Sequence, residues 1–360
     1  MSSPESQSVA DTLVQWQKVA GRQHLPWQNT GDAYRVWLSE VMLQQTQVTT
    51  VLGYYDRFLK AFPTVTELAQ ASEEEVMQLW AGLGYYSRAR NLHACARQVL
   101  ARFGGEFPRD VDALESLPGI GRSTAGAIAS LSWGLAAPIL DGNVKRVYCR
   151  LFGVEGYPEQ TAVKRELWAI AERELSQQAP GVYNQALMDL GATVCTPKNP
   201  NCAKCPLMKR CVALKKGMVG QLPQPKPKKP RPSQYFVALA VRSKHGEVGL
   251  TARQGKGVWR GLWMWPHLSL EGVDQVVDWP ELAPLLQEIG LQADERQQAE
   301  LVRQLKALNR QDWLVHELTH RKMHFKVLAL DGVSGGDLVA WSDRAVPRLV
   351  HKIMEQLGWT

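Results

Sequence analysis

The apolar positions in the first half of the chain follow a helical spacing. They recur every three to four residues in three long segments, residues 33–59, 73–92 and 162–190. This spacing places apolar side chains on one face of an α-helix. Alternating apolar and polar positions, which indicate strands, are few before residue 225. The sequence therefore predicts an all-α first half.

The pattern changes after residue 225. Three apolar runs are typical of strands, residues 235–241, 313–316 and 325–330. Helical spacing returns at residues 281–289 and 347–357. We therefore expect a small α+β domain in the second half and a multidomain protein overall, which agrees with a length of 360 residues.

A proline-rich segment separates the two halves. Residues 221–233 contain five prolines, and proline-rich linkers adopt an extended polyproline conformation. At ~3.1 Å per residue such a linker reaches roughly 40 Å, enough to place a second domain across a bound duplex. We predict a helical domain at 1–220, a linker at 221–233 and an α+β domain at 234–360.

Positive charge is concentrated around this linker. The chain has 42 basic and 35 acidic residues and a formal net charge of +7, yet the residues outside 206–233 balance to −1. The basic residues within 206–233, where no acidic residue occurs, are Lys209, Arg210, Lys215, Lys216, Lys226, Lys228, Lys229 and Arg231. Such a patch attracts a polyanion such as nucleic acid, although a solubilising linker explains the same charge.

The composition and the first residues argue against a membrane-spanning protein and against a secreted protein. Mean hydropathy is −0.26, and no run of consecutive apolar residues reaches the ~18 residues that a membrane span requires. The first five residues, M-S-S-P-E, carry neither the basic nor the apolar region of a secretory signal. We therefore expect a cytoplasmic protein with no membrane partner and with reduced cysteines. Separately, we expect a monomer.

Four of the six cysteines form a metal-ligand pattern. Cys195, Cys202, Cys205 and Cys211 have the spacing C-x6-C-x2-C-x5-C. A C-x2-C pair brings two thiolates to one metal centre, and the flanking cysteines complete a four-thiolate shell. The spacing leaves zinc and an iron–sulfur cluster both open. The other two cysteines lie in helical patterns and are expected in the core.

A turn with the sequence L-P-G-I-G at 117–121 joins two predicted helices. Residues 112–117 have helical spacing, and the second helix begins at Arg122. Gly119 and Gly121 let the backbone turn tightly and approach another molecule. The free amides at a helix N-terminus favour an anion, such as a DNA phosphate. An ordinary connection between helices is the alternative.

Two carboxylates occupy positions suited to acid–base chemistry. Glu40 shares a helix face with Val36 and Leu43, so desolvation should raise its pKa and favour the protonated form. A surface position is the alternative for this residue. Asp141 precedes a helix that starts at Asn143, where an N-cap is the simpler explanation.

Together these motifs resemble a known superfamily. L-P-G-I-G-R-S at 117–123, L-D-G-N-V at 140–144 and the four-cysteine loop resemble the helix-hairpin-helix DNA glycosylases that carry an iron–sulfur cluster. Within that superfamily, the segments at 37–48 and 82–92 closely resemble the adenine DNA glycosylases of the MutY family. The resemblance spans about residues 16–211 and extends more loosely into the second half.

The resemblance implies a role for each residue of the site. Glu40 corresponds to the acid that protonates adenine at N7, and Asp141 to the carboxylate that stabilises the positive sugar, as in two-carboxylate glycoside hydrolases. Asn143 supports this site, and Gln185 with Trp27 lies near the extruded adenine, although burial alone explains Trp27 equally well. The four cysteines correspond to ligands of a [4Fe–4S] cluster rather than zinc.

Ser123 stands where relatives that also cut the DNA backbone have a lysine for a Schiff base. The resemblance therefore implies monofunctional base excision, without an efficient lyase step. DNA contacts are implied for residues of the hairpin and of the segments that probe the opposite strand: Gly119, Gly121, Ser123, Gln44, Gln45, Thr46, Leu83 and Tyr85. Tyr85 resembles a tyrosine wedged beside 8-oxoguanine, with core packing as the alternative.

The second half resembles the Nudix-like domain of this family. Enzymes with an active Nudix site carry R-E-x-x-E-E-x-G, whereas residues 283–290 read A-P-L-L-Q-E-I-G. Because Glu288 alone cannot hold Mg²⁺ against its hydration, we expect no independent hydrolase activity. Recognition of 8-oxoguanine is implied for Thr319 and His320, in a loop that reads L-T-H at 318–320 where the family usually has F-S-H.

The resemblance as a whole implies an adenine DNA glycosylase of bacterial base excision repair. Its partner would be double-stranded DNA with adenine opposite 8-oxoguanine or guanine. Two alternatives stay open: a relative that removes oxidised pyrimidines or the thymine of G·T mismatches, and a cluster-bearing DNA-binding protein without activity. Ser123 and the second domain argue against the first alternative, and the pair Glu40 and Asp141 against the second.

Overall fold

The computed structural model of the protein describes residues 8–227, 230–254 and 257–359. The chain divides into two units. The helical unit comprises the chain up to Ala71 together with Arg90–Pro227, and the sheet unit comprises Ser72–Ala89 and the residues after Pro227. Residues 1–7 lie outside the described residues, and so do Lys228 and Lys229 of the basic segment, the name used here for residues 206–233.

The helical unit is built from α-helices and short connections. Its helices are α1 (Val9–Ala20), α2 (Ala33–Leu43), α3 (Val48–Ala61), α4 (Val65–Gln70), most of α6 (Ser87–Phe103), α7 (Val111–Glu115), α8 (Arg122–Trp133), α9 (Gly142–Phe152), α10 (Thr161–Glu174), α11 (Pro180–Thr193) and α12 (Val212–Lys215). Helix α5 (Glu73–Trp80) lies in the sheet unit. The predicted all-α first half is confirmed.

Buried side chains from α1, α9, α10 and α11 form one core of the helical unit. Leu13 and Leu187 are fully buried there, and the hydroxyl oxygens of Tyr148 and Tyr183 lie 3.1 Å apart inside it. This hydrogen bond satisfies two polar groups that would otherwise be buried without partners. The core therefore fixes α9 and α11, the helices that carry several of the predicted site residues.

All three long predicted helical segments are divided. In the third, residues 175–179 separate α10 from α11, and a turn with positive φ divides each of the other two. Between α2 and α3 the backbone of Gln45 has φ +58°. Between α5 and α6, Gly82 and Gly84 also have positive φ, and so does Tyr85 at +50°. An L-residue in the left-handed region cannot continue a right-handed helix. The apolar spacing of these segments therefore conceals two turns that expose polar residues.

The sheet unit contains a four-stranded sheet in the order β4-β1-β6-β5. Its strands are β1 (Ser233–Ser243), β4 (His267–Leu270), β5 (Leu314–Glu317) and β6 (Lys322–Val333), and β2 (Thr251–Ala252) pairs with β3 (Trp263–Met264). Strand β1 is parallel to β6, and the other pairs are antiparallel. Three further helices complete the unit: α13 (Trp279–Gln287), α14 (Glu295–Ala307) and α15 (Arg348–Leu357).

The predicted α+β character of the second half is confirmed. The three predicted strands correspond to β1, β5 and β6, and the two predicted helices to α13 and α15. Strand β4 and helix α14 were missed by the sequence pattern. Within the parts of the chain that the structure describes, every helix is too short or too polar to cross a lipid bilayer.

Candidate active site

A cleft of about 1480 Å³ opens in the helical unit. Its walls come from the loop before α2, the end of α2, the start of α8, the start of α9 and one side of α11. Many of the predicted site residues line it: Trp27, Glu40, Gln44, Gln45, Thr46, Ser123, Asp141, Asn143 and Gln185. The fold thus brings together side chains that lie up to about 160 residues apart in sequence.

Glu40 projects from α2 into this cleft. The helix starts at Asp32, whose carboxylate accepts hydrogen bonds from the backbone nitrogens of Tyr34 and Arg35, at 2.8 and 3.3 Å. Burial and, to a smaller extent, the negative charge of Asp141 raise the pKa of Glu40 from 4.5 to about 8. A carboxyl group with this pKa is largely protonated at neutral pH. The predicted raised pKa is confirmed.

Asp141 is both the N-cap of α9 and a residue of the cleft. Its Oδ1 accepts a hydrogen bond of 2.7 Å from the backbone nitrogen of Val144. Burial raises the pKa of Asp141, while that hydrogen bond and the positive charges of Arg146 and Lys145 oppose the shift. Asp141 can therefore be a helix N-cap and a residue of the site at once, because the cap hydrogen bond fixes the direction of its carboxylate.

Ser123 connects the hairpin helix α8 to the segment that carries Asp141. Its Oγ accepts a hydrogen bond of 2.9 Å from the backbone nitrogen of Leu140. A lysine at this position would lack the acceptor that this bond requires. The serine therefore has a structural role next to the catalytic candidates, in addition to leaving the cleft without an amine at that point.

The hairpin turn itself places an open helix N-terminus at the surface. Gly119 has φ +77°, and a Cβ there would lie 2.8 Å from Cβ of Asn91. Gly121 is the exposed N-cap of α8, and as a glycine it has no side chain to accept a hydrogen bond from the first backbone amides of the helix. The backbone amides of the first turn of α8 are thus arranged as in anion-binding helix termini.

Arg146 links the cleft to the cysteine loop. Its guanidinium donates hydrogen bonds to Oδ1 of Asn143 at 2.9 Å, to the carbonyl oxygen of Gly191 at 2.7 Å and to that of Cys195 at 2.8 Å. The residue is buried. A buried guanidinium with three acceptors ties α9, α11 and the cysteine loop together.

The four predicted metal ligands are unpaired, partly buried thiols. Burial, with a contribution from the other three cysteines of the loop, raises the pKa of Cys205 to about 11. The four thiols are therefore close enough to interact, although across the described ranges no three His, Cys, Asp or Glu side chains are already arranged around a single ion.

Arg150 donates hydrogen bonds to this loop. Its buried guanidinium donates to Sγ of Cys195 at 3.4 Å and to the carbonyl oxygens of Thr196 and Leu222 at 2.7 and 2.8 Å. Four neighbouring thiols, one of which accepts a hydrogen bond from a buried guanidinium, fit the ligand set of an iron–sulfur cluster. Leu222, which the sequence assigned to the linker, accepts one of these bonds and is buried in the helical unit.

The remaining predicted DNA-contacting residues lie in the sheet unit. Leu83 is buried, whereas Tyr85 is 44% exposed with its ring 5.4 Å from the guanidinium carbon of Arg88. The hydroxyl of Tyr85 lies 3.4 Å from Oγ1 of Thr319. Thr319 and His320 are both exposed. The structure thus brings the predicted wedge and the predicted damage-recognition loop into contact.

Sequence reasoning missed two buried charged residues that support the cleft, Arg146 and Asp189. Each follows a predicted site residue by about one helical turn: Arg146 is three residues after Asn143, and Asp189 is four after Gln185. That spacing places the pairs on the same helix face. It was the one signal in the sequence that could have revealed them.

Comparisons with known proteins agree with this geometry. Residues 38–173 match the HhH-GPD superfamily of base excision DNA repair proteins. An adenine DNA glycosylase of Buchnera aphidicola is 38% identical over 259 residues, covering 71% of this chain and 74% of that protein. The human adenine DNA glycosylase is 37% identical, covering 89% of this chain and 67% of that protein. The structure of a thermostable thymine-DNA glycosylase, 30% identical, superimposes with a TM-score of 0.52 on 57% of this chain and 95% of its own.

Proposed function

The chain belongs to the adenine DNA glycosylases of the HhH-GPD superfamily, and we propose that it hydrolyses the N-glycosidic bond of adenine opposite 8-oxoguanine or guanine in DNA. The observation that carries the proposal is the pair of carboxyl groups in one cleft. Glu40 has a pKa of about 8, and Asp141 faces the same space. Two carboxyl groups in different protonation states are the basis of glycoside hydrolysis.

Glu40 is the proposed general acid. At neutral pH its carboxyl group carries a proton, because burial and Asp141 both raise the pKa. Transfer of this proton to N7 of adenine makes the base a better leaving group. After the bond breaks, the resulting carboxylate accepts a proton from the attacking water. The residue thereby returns to its initial state at the end of each turnover.

Asp141 is the proposed stabiliser of the positively charged sugar. The helix cap occupies its Oδ1, and this fixes the side chain at the start of α9. A carboxylate next to the anomeric carbon lowers the energy of an oxocarbenium ion. Asn143, held by Arg146, lies two residues further along and keeps this edge of the cleft in place.

The proposed enzyme is monofunctional. Schiff-base chemistry, which leads to cleavage of the DNA backbone, requires a lysine amine at the position of Ser123. The hydroxyl of Ser123 instead holds the backbone of Leu140. We therefore propose that the product is an abasic site in an intact strand.

Recognition of the opposite base is assigned to the sheet unit, which we propose to be a Nudix-like domain joined by the linker at 221–233. Tyr85 and Thr319, in contact through their hydroxyl groups, form a polar and aromatic edge beside His320. An exposed aromatic ring of this kind can enter the base stack and support extrusion of adenine. The basic residues of 206–233 supply non-specific attraction to phosphates.

A [4Fe–4S] cluster is the proposed cofactor, held by Cys195, Cys202, Cys205 and Cys211. When bound, such a cluster crosslinks its loop through metal–thiolate bonds. Arg146 then connects that loop to Asn143. We propose that the protein acts as a monomer on DNA in the bacterial cytoplasm.

The test is base release from a panel of duplexes under single-turnover conditions, analysed with and without alkali. The panel contains 8-oxoguanine·adenine, guanine·adenine, guanine·thymine and an undamaged adenine·thymine control. The proposal predicts strand breakage only after alkali, and only for the two adenine mispairs. Release of thymine from guanine·thymine instead would contradict it, and breakage without alkali at the rate of base release would contradict the monofunctional mechanism.

A further inference from the structure

A fully buried carboxylate lies directly behind one wall of the cleft. Asp189, on α11, has no exposed surface. Its Oδ2 accepts hydrogen bonds from Nε2 of Gln17 at 2.9 Å and from the backbone nitrogen of Arg22 at 2.8 Å. Its Oδ1 accepts from Nε of Arg22 at 2.8 Å and from Nε2 of Gln185 at 3.0 Å, and it forms an ion pair with Nη2 of Arg22 at 2.6 Å.

This arrangement determines which end of the Gln185 amide faces the cleft. A carboxylate accepts hydrogen bonds and donates none. The amide nitrogen of Gln185 must therefore point towards Asp189, because the opposite orientation would place two acceptor oxygens together in a buried site. Gln185 lines the cleft, so its carbonyl oxygen is the end that remains for a ligand there.

We infer that Asp189 is a positioning residue that makes Gln185 a hydrogen-bond acceptor towards the extruded base. The inference rests on the proposed function and specifies how its pocket selects a base. Adenine carries an amino group at C6, which donates to an acceptor. Hypoxanthine carries an oxygen at C6, which would face the oxygen of Gln185.

The arrangement is held by two helices that pack against each other, α1 and α11. Arg22 and Gln17 come from the end of α1 and the loop after it, whereas Gln185 and Asp189 lie one turn apart on α11. Since Asp189 already has donors on both oxygens, rotation of the Gln185 amide would break one bond and gain none. A site with a fixed acceptor rejects an analogue that cannot donate to it.

The test compares release of adenine and of hypoxanthine, each opposite 8-oxoguanine, by the wild-type protein and by Asp189→Asn. An asparagine can present either end of its amide to Gln185, so the orientation of Gln185 is no longer fixed. We expect the ratio of the single-turnover rate constants, adenine over hypoxanthine, to fall at least tenfold. Asn184→Leu, at an equally buried polar residue of α11 outside the cleft lining, should leave the ratio unchanged.

The ratio separates positioning from loss of folded protein, since partial unfolding lowers both rate constants by the same factor. A wild-type preference for adenine that persists unchanged in Asp189→Asn overturns the inference and leaves the proposed function intact. Release of neither base by the wild-type protein overturns both. If Asp189→Asn does not fold, Gln185→Leu decides: a tenfold lower ratio supports the fixed acceptor, and an unchanged ratio overturns it.

Discussion

Asp141 contributes to the raised pKa of Glu40 across the cleft, although about 100 residues separate the two in sequence. Burial is the larger cause, and the negative charge of Asp141 is the second. Glu40 therefore retains its proton at neutral pH, while the cap hydrogen bond and the positive charges of Arg146 and Lys145 oppose the rise in the pKa of Asp141. A proton held on one carboxyl group is what general acid catalysis requires.

The pH dependence of the free energy of unfolding should show the raised pKa of Glu40 independently of activity. Between pH 4.5 and about 8 the folded state keeps the proton that the unfolded state has lost, so the free energy of unfolding falls as pH rises through this window. Glu40→Gln removes the effect. The difference in unfolding free energy, variant minus wild type, should grow by about 1 kcal/mol per pH unit.

This difference is measured by urea denaturation of both proteins at pH 5.5, 6.5 and 7.5. Titration of the groups that do not interact with Glu40 cancels in the comparison, because the two proteins differ at one residue. A difference that stays constant over this range would mean that Glu40 titrates normally.

Arg146→Met should loosen the connection between the cleft and the cysteine loop. The substitution leaves the carbonyl oxygens of Gly191 and Cys195 and the amide of Asn143 without their buried donor. We expect the free energy of unfolding to fall by about 3 kcal/mol and adenine release to slow. The control is Arg165→Met at an exposed site on α10, which should behave like the wild type; equal stability of the two variants would show that the bridge contributes nothing.

Replacing Lys215 and Lys216 by glutamine should reduce the salt dependence of DNA binding. Both side chains are exposed within the basic segment. Each phosphate contact that is lost lowers the slope of log affinity against log salt by about 0.9, so we expect a decrease of up to about 2 by fluorescence anisotropy. Lys60→Gln, which removes a lysine paired with Asp56 on α3, is the matched control. Identical slopes for all three proteins would assign the segment to solubility alone.

His320→Ala should weaken discrimination at the base opposite adenine. The residue is exposed next to Thr319, which contacts Tyr85. We expect the ratio of adenine release opposite 8-oxoguanine to release opposite guanine to fall, with chemistry on the guanine mispair retained. His245→Ala, at another exposed histidine of the sheet unit, is the control. If both variants keep the wild-type ratio, the loop at 318–320 has no role in recognition.

The sequence was sufficient for most elements but not for their interruptions. Apolar spacing located α10, α11, β1 and β6 because each of these elements buries one face or one run of side chains. The turn at Gln45 and the one before α6 escaped notice because their flanking helices keep the same apolar spacing on both sides. Strand β4 is four residues long and too short to show a period.

The candidate site was predictable where the chemistry lies in one motif. Glu40 and Asp141 could be named from local patterns and a family resemblance, and the structure places both in one cleft. The bonds of Arg146 to Gly191 and Cys195, and those of Asp189 to Gln17 and Arg22, join segments more than 40 residues apart. Only the folded chain shows such contacts, since no local pattern encodes them.

The most direct test of the account is the pH dependence of adenine release from an 8-oxoguanine·adenine duplex, measured for the wild-type protein and for Glu40→Gln under single-turnover conditions. If Glu40 is the acid, the wild-type rate constant falls tenfold per pH unit above about 8. At pH 7 the variant is then slower by at least roughly 100-fold, with DNA binding retained. A wild-type rate that is constant from pH 6 to 9.5, or release of adenine by Glu40→Gln at the wild-type rate, would contradict the account.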